Sequence, residues 1–84
     1  MISKNVTINI PTGLEARPIA LLVQVASKYE SSVYVACGDK RVNAKSIMGM
    51  MSLALPTGTE LTVTTDGADE EAAMENVVEY LCGK

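Results

Sequence analysis

Two hydrophobic periods alternate along this chain, and that alternation constrains the fold more than any other feature. Val6, Ile8 and Ile10 alternate with Asn5, Thr7 and Asn9, the period of two expected of a half-buried strand. Pro11-Thr12-Gly13 interrupts it. From Ala16 to Lys28 the spacing lengthens: Ile19, Leu22, Val23 and Ala26 fall on one face of a helix. Pro18 fits only in the first turn, where a missing N–H costs nothing. The helix therefore begins near Glu15, with residues 11–15 at its mouth.

The pattern repeats downstream. Val33 and Val35 mark a second strand, Gly38-Asp39 a turn, and Lys40 to Asn43 a third strand that closes a hairpin. Ser46 to Leu53 reads as a short helix ended by Pro56 and Gly58. Glu60 to Thr65 alternates again through Leu61 and Val63, and Asp66-Gly67 turns the chain. Asp69 is placed to cap a last helix, with Glu70 and Glu71 at the positive end of its dipole. Met74, Val77, Val78 and Leu81 supply that helix's apolar stripe. The order is βαββαβα. Four short strands with segregated helices predict an antiparallel sheet covered on one face, an α+β sandwich. At 84 residues the chain is expected to form one domain, 1–84.

Composition narrows the partners. The formal net charge is −3, with no dense Lys/Arg cluster and neither Phe nor Trp. Direct nucleic-acid binding needs a basic face and profits from stacking platforms, so it is not expected. Anionic membranes are equally poor partners. The longest apolar run, Ile19 to Val23, is too short to span a bilayer, and no signal-peptide core follows Met1. Cys37 and Cys82 form no CxxC pair and there is no His. Two reduced thiols in a cytoplasmic protein are expected, with no metal and no cofactor.

The mouth of the first helix is an anion site by its physics. Unpaired backbone N–H groups and the positive dipole end attract anions. Arg17 adds a guanidinium suited to phosphate, and Thr12 a hydroxyl. Glu15 stands in the same loop. As a first-turn acid it would gain roughly 0.3–1 kcal/mol from the helix dipole. Paired with Arg17 it would imitate, crudely, a permanently phosphorylated site. Ser46 is placed as an N-cap, with Gly49 where a capping-box Glu would stand. Behind it, Ile47, Met50, Met51 and Ala54 share one face, and Met48, Met51 and Leu55 another. A short helix on a sheet buries only one stripe, so some of Ile47, Met48 and Met51 should stay exposed. Exposed apolar patches mark protein contacts, and Met adapts to several partners.

Two segments carry a family likeness. Gly13-Leu14-Glu15-Ala16-Arg17-Pro18 is similar to the HPr family pattern Gly, aliphatic, His, Ala, Arg, Pro at every position but the histidine. Val42 to Leu53 resembles the family's regulatory serine and the helix after it, and Gly67-Ala68-Asp69-Glu70 fits the entry to its last helix. The resemblance runs in register over almost the whole chain. It implies the HPr-like open-faced sandwich with sheet order 1-4-2-3. It also implies a place in the bacterial sugar phosphotransferase system, where HPr relays a phosphoryl group from a donor enzyme to a sugar transporter.

The family's phosphorylated histidine aligns with Glu15, and Thr12, Glu15, Ala16 and Arg17 form the corresponding cradle. A carboxylate is already anionic and lacks the labile P–N chemistry of a neutral imidazole. No phosphoryl relay is therefore expected at position 15. Ser46 matches the family's regulatory serine. The resemblance implies phosphorylation by HPr kinase/phosphorylase and action with a LacI-type regulator in carbon catabolite control, as in histidine-less HPr paralogues. Phosphate there would take the net charge from −3 to about −5. Arg17, Lys45, Ile47, Met48 and Met51 would then lie on the docking face. The leading reading is a regulatory interaction protein, not an enzyme. The alternatives are an active phosphocarrier, a docking decoy for phosphotransferase enzymes, and an engineered Glu15 variant of a normal phosphocarrier.

Overall fold

A computed structural model describes residues 1–53 and 55–83. The elements follow in the expected order: β1 (Ile2–Thr7), α1 (Ala16–Ser27), β2 (Ser32–Cys37), β3 (Lys40–Asn43), α2 (Ile47–Met51), β4 (Glu60–Asp66) and α3 (Glu70–Leu81). The four strands form one antiparallel sheet in the order β1-β4-β2-β3. The three helices cover one face. Among the described residues no helix is long and apolar enough to cross a membrane.

Register explains the sidedness. Val6 pairs with Leu61 and Val35 with Val63, so their side chains meet on the helix-covered face and are buried. One residue along, Ser3 bonds Thr64 at 3.0 Å and Asn5 accepts from Thr62 at 2.8 Å on the open face. Arg41 stacks over Tyr34 there at 4.2 Å. Ile19, Leu22 and Ala26 of α1 join Ala73, Val77 and Leu81 of α3 in the core. Burying such side chains stabilises by roughly 1.5–3 kcal/mol each for the larger ones.

Three details depart from the sequence expectations. The first strand runs 2–7 rather than 5–10. Lys4 sits on the buried parity yet stays exposed, which hides the strand's start from a period count. Ile8 stays buried but leaves the ladder: its N–H donates to Thr59 O at 2.9 Å, and its C=O accepts from Gly58 N at 2.7 Å. The second helix ends at Met51, because Ser52 and Leu53 donate to carbonyls three residues back and tighten the turn. Ala54, assigned by the sequence to the Ile47 face, lies outside the described residues.

Asp69 is the third departure. It occupies the N-cap position of α3 but makes no cap bond with its own helix. Its carboxylate instead accepts from the N–H groups of Glu30 and Ser31, both at 2.9 Å, and from the buried Ser31 hydroxyl. One carboxylate thus clamps the α1–β2 loop to the start of α3. The Ser31 hydroxyl first, then the Glu30 amide, hold its carboxyl below the ordinary 3.8. The folded state therefore binds fewer protons than the unfolded one. The contribution is fully present above the unfolded value and is lost as pH falls through the depressed one. Urea midpoints measured from neutral to acid pH should fall, and Asp69→Asn should flatten the fall. It should not abolish it, because the N-terminal amine also holds Glu70 below its ordinary value.

Candidate functional site

The loop before α1 is anchored at both ends. Gly13 N–H donates to Ile10 O at 2.8 Å, closing the turn after Pro11. The next residue, Leu14, is buried and donates its N–H to Leu55 O at 2.7 Å. This pins the loop against residues 55–57 and sets the start of α1. Glu15 is the N-cap, in extended conformation, and its carbonyl accepts the first helical bond from Ile19 at 2.9 Å. It is not inside the first turn, as the dipole argument supposed. Its carboxylate caps nothing and is exposed.

Around this mouth the expected cradle is only partly assembled. Among the described residues the amides of Ala16 and Arg17 have no hydrogen-bond partner, as befits a helix start. Thr12 leans its hydroxyl toward Gly13 O at 3.4 Å. Thr12, Leu14, Glu15, Leu55 and Pro56 line a shallow cleft. Arg17 is exposed and forms no ion pair with Glu15; the ion pairs among the described residues involve the N-terminal amine. The Glu15–Arg17 pairing is therefore absent, and among the described residues Arg17 has no ion-pair partner. Tyr80 steadies the helix from behind by donating its hydroxyl to Pro18 O at 3.1 Å.

Ser46 stands where β3 hands over to α2. Asn43 shapes the turn: its side-chain oxygen accepts from Lys45 N at 2.8 Å and its carbonyl from Ser46 N at 3.0 Å. Ser46 Oγ then accepts from Gly49 N at 3.2 Å, the expected N-cap. The hydroxyl remains exposed. Of the helix behind it, Met50 alone is fully buried. Ile47, Met48 and Met51 are 51%, 87% and 47% exposed, so all three apolar candidates face outward.

Two residues alter the expected docking face. Lys45 is half-buried, and its ammonium donates to Tyr29 O at 2.6 Å, so it serves the α1–β2 loop. Leu21 joins the exposed apolar side chains at 44%. Sequence reasoning passed over it, although it falls off the buried stripe and lies one turn after Arg17. Since α1 packs on α2, the two helices form a common layer. Cys37 and Cys82 are free thiols. Among the described residues no cluster of His, Cys, Asp or Glu could hold a metal.

A family model described as the PTS HPr component phosphorylation site matches residues 2–82. The chain belongs to the HPr family. It is 48% identical over 81 residues to the HPr-like protein Crh of Bacillus subtilis, covering 96% of this chain and 95% of that protein. The crystal structure of the phosphocarrier protein HPr from Bacillus anthracis superposes with a TM-score of 0.92 at 45% identity, covering 95% of each chain. Crystalline Bacillus subtilis Crh, a catabolite repression protein seen as a domain-swapped dimer, matches with a TM-score of 0.77 at 48% identity. It covers 96% of this chain and 93% of that one. HPr-family members are phosphocarriers or regulatory proteins that interact with phosphotransferase-system proteins. The chain contains no histidine.

Proposed function

We propose that this chain, working as one HPr-like domain over residues 1–84, is a cytoplasmic regulatory protein of the phosphotransferase system switched at Ser46. It acts by docking and not as a catalyst. The observation that carries this reading is the contrast between the two sites. Position 15 offers a carboxylate, whereas Ser46 offers an exposed hydroxyl beside three exposed apolar side chains.

In the switching step, HPr kinase/phosphorylase transfers the γ-phosphoryl group of ATP to Ser46 Oγ. An O–P bond forms, the bond from phosphorus to the ADP oxygen breaks, and the hydroxyl proton passes to the kinase's base. The new phosphate sits at the start of α2, where free amides and the dipole favour it, and it presents three acceptor oxygens to a partner. Ile47, Met48, Met51 and Leu21 supply the apolar contact area. Arg17 supplies a cation at the rim. A LacI-type regulator of carbon catabolite control is the partner this surface is proposed to serve.

The test is intact mass after incubation with HPr kinase and ATP. One phosphate is expected on the native chain and none on Ser46→Ala. The variant loses a cap worth about 1 kcal/mol, a small drop in urea midpoint that leaves the fold intact. No mass gain, or a gain that persists in Ser46→Ala, would overturn the proposal.

A further inference from the structure

One groove is lined by residues of neither site. It lies between β1 and α3, encloses about 470 Å³, and is unclaimed by the switch at Ser46. Ile2, Met74 and Val78 form its apolar floor. Glu71, Glu75 and Glu79 stand along one side, and Lys4 on the other.

The two walls run side by side in the same direction. At one end the N-terminal amine bonds Glu70 at 3.0 Å; at the other Asn9 N–H donates to Leu81 O at 2.8 Å. The strand wall is open. β1 ends the sheet order and pairs only with β4, so alternate N–H and C=O groups along its outer edge have no strand partner. The helix wall is acidic at a regular interval. Residues four apart share a face, and at a rise of 1.5 Å per residue the three glutamates recur about every 6 Å. Alternate side chains of an extended strand recur about every 6.6–6.8 Å. The two spacings match over the length of the groove.

We propose that this groove is a docking site for an extended segment of a partner protein that carries Lys or Arg at alternate positions. Its backbone adds to the free edge of β1, and its groove-facing side chains are the cations, whose aliphatic stems cover Ile2, Met74 and Val78 while their charged heads meet the glutamates. Lys4 sets the register, because a basic residue opposite it is repelled. A second copy of this chain fits poorly. Its own edge strand, Ile2–Thr7, offers one Lys and no Arg, and the chain is itself net negative. The groove and α2 lie at opposite edges of the sheet, since α2 packs against β3. A partner held here can therefore stay bound while Ser46 is switched.

Selection of a displayed library of random seven-residue linear peptides on the purified protein tests this. Enriched sequences should carry Lys or Arg at every second position. The most enriched peptide, made synthetically, should shift amide resonances of Ile2 to Val6 and Glu71 to Glu79 and leave Ser46 to Met51 unmoved. Glu75→Lys with Glu79→Lys should weaken it at least tenfold, and Lys4→Ala should strengthen it or leave it unchanged. All three positions are exposed, so an otherwise native amide spectrum is expected. No enrichment, enrichment of acidic or uncharged sequences, or shifts confined to α2 would overturn the proposal. So would a concentration-dependent dimer that occupies the groove and excludes the peptide. None of these results bears on phosphorylation of Ser46.

Discussion

The Glu15→His variant is expected to be labelled close to stoichiometrically by phosphoenolpyruvate and the donor enzyme, where the native chain is expected to stay unlabelled. The argument is chemical. A neutral imidazole nitrogen brings a lone pair to phosphorus without bringing a charge, whereas the Glu15 carboxylate repels an incoming phosphoryl group. Carboxylates that carry phosphate generally rely on metal ions or clustered cations to offset that repulsion. Here Arg17 is the nearby cation in the sequence, and among the described residues no metal cluster exists. The helix mouth leaves room for the substitution: among the described residues the Ala16 and Arg17 amides are unpartnered, and Arg17 is not engaged by Glu15.

Position 15 is an exposed N-cap whose side chain bonds nothing among the described residues, so the exchange should cost little stability. Glu15→Gln separates charge from nucleophile. It removes the repulsion but supplies no attacking group, and it should remain unlabelled. Label on position 15 of the native chain would show that the carboxylate does relay phosphate. An unlabelled, folded Glu15→His variant would show that the surface facing the donor enzyme has changed as well.

The strand and helix order was legible because burying one face of an element forces a period on its sequence. Val6, Leu61 and Val63 alternate because the sheet has one dry side, and Ile19, Leu22, Val23 and Ala26 recur because α1 has one dry stripe. The first strand's start was illegible for the complementary reason. Lys4 sits at the sheet's edge beside the groove, where the inward parity need not be apolar. Ser46 was legible as a cap because its partner, Gly49, is three residues away. Asp69 and Lys45 were not, because their partners, Ser31 and Tyr29, are distant in sequence and met only through the fold. The same holds for the groove, whose floor joins Ile2 to Val78. Local periodicity reports burial; it does not report which distant backbone group a long polar side chain will find.

Gly13→Ala is expected to cost about 2–5 kcal/mol, roughly twice what Gly38→Ala costs, although both glycines have positive φ. At Gly38, φ is +59° and an added Cβ meets nothing within 4 Å. Only the left-handed backbone is penalised there, by about 1–2 kcal/mol. At Gly13, φ is +73°, and the Cβ would lie 2.7 Å from Leu55 O and 2.9 Å from Thr57 N. Both are backbone atoms, so no side-chain rotation relieves the contact, and overpacking adds about 1–3 kcal/mol. The loop 55–57 cannot simply retreat. Leu14 bonds Leu55 O, and the adjacent Thr57 hydroxyl and Gly58 amide hold the carbonyl of buried Ile8. Moving it would loosen the chain after β1 and the N-cap of α1 together. Urea denaturation of the two variants at neutral pH measures the difference directly. Equal losses would mean that residues 55–57 yield freely and that the mouth of α1 is not fixed by them. The unequal losses expected here would show instead that the cradle's geometry is set by one close backbone contact, which any residue other than glycine at position 13 would push apart.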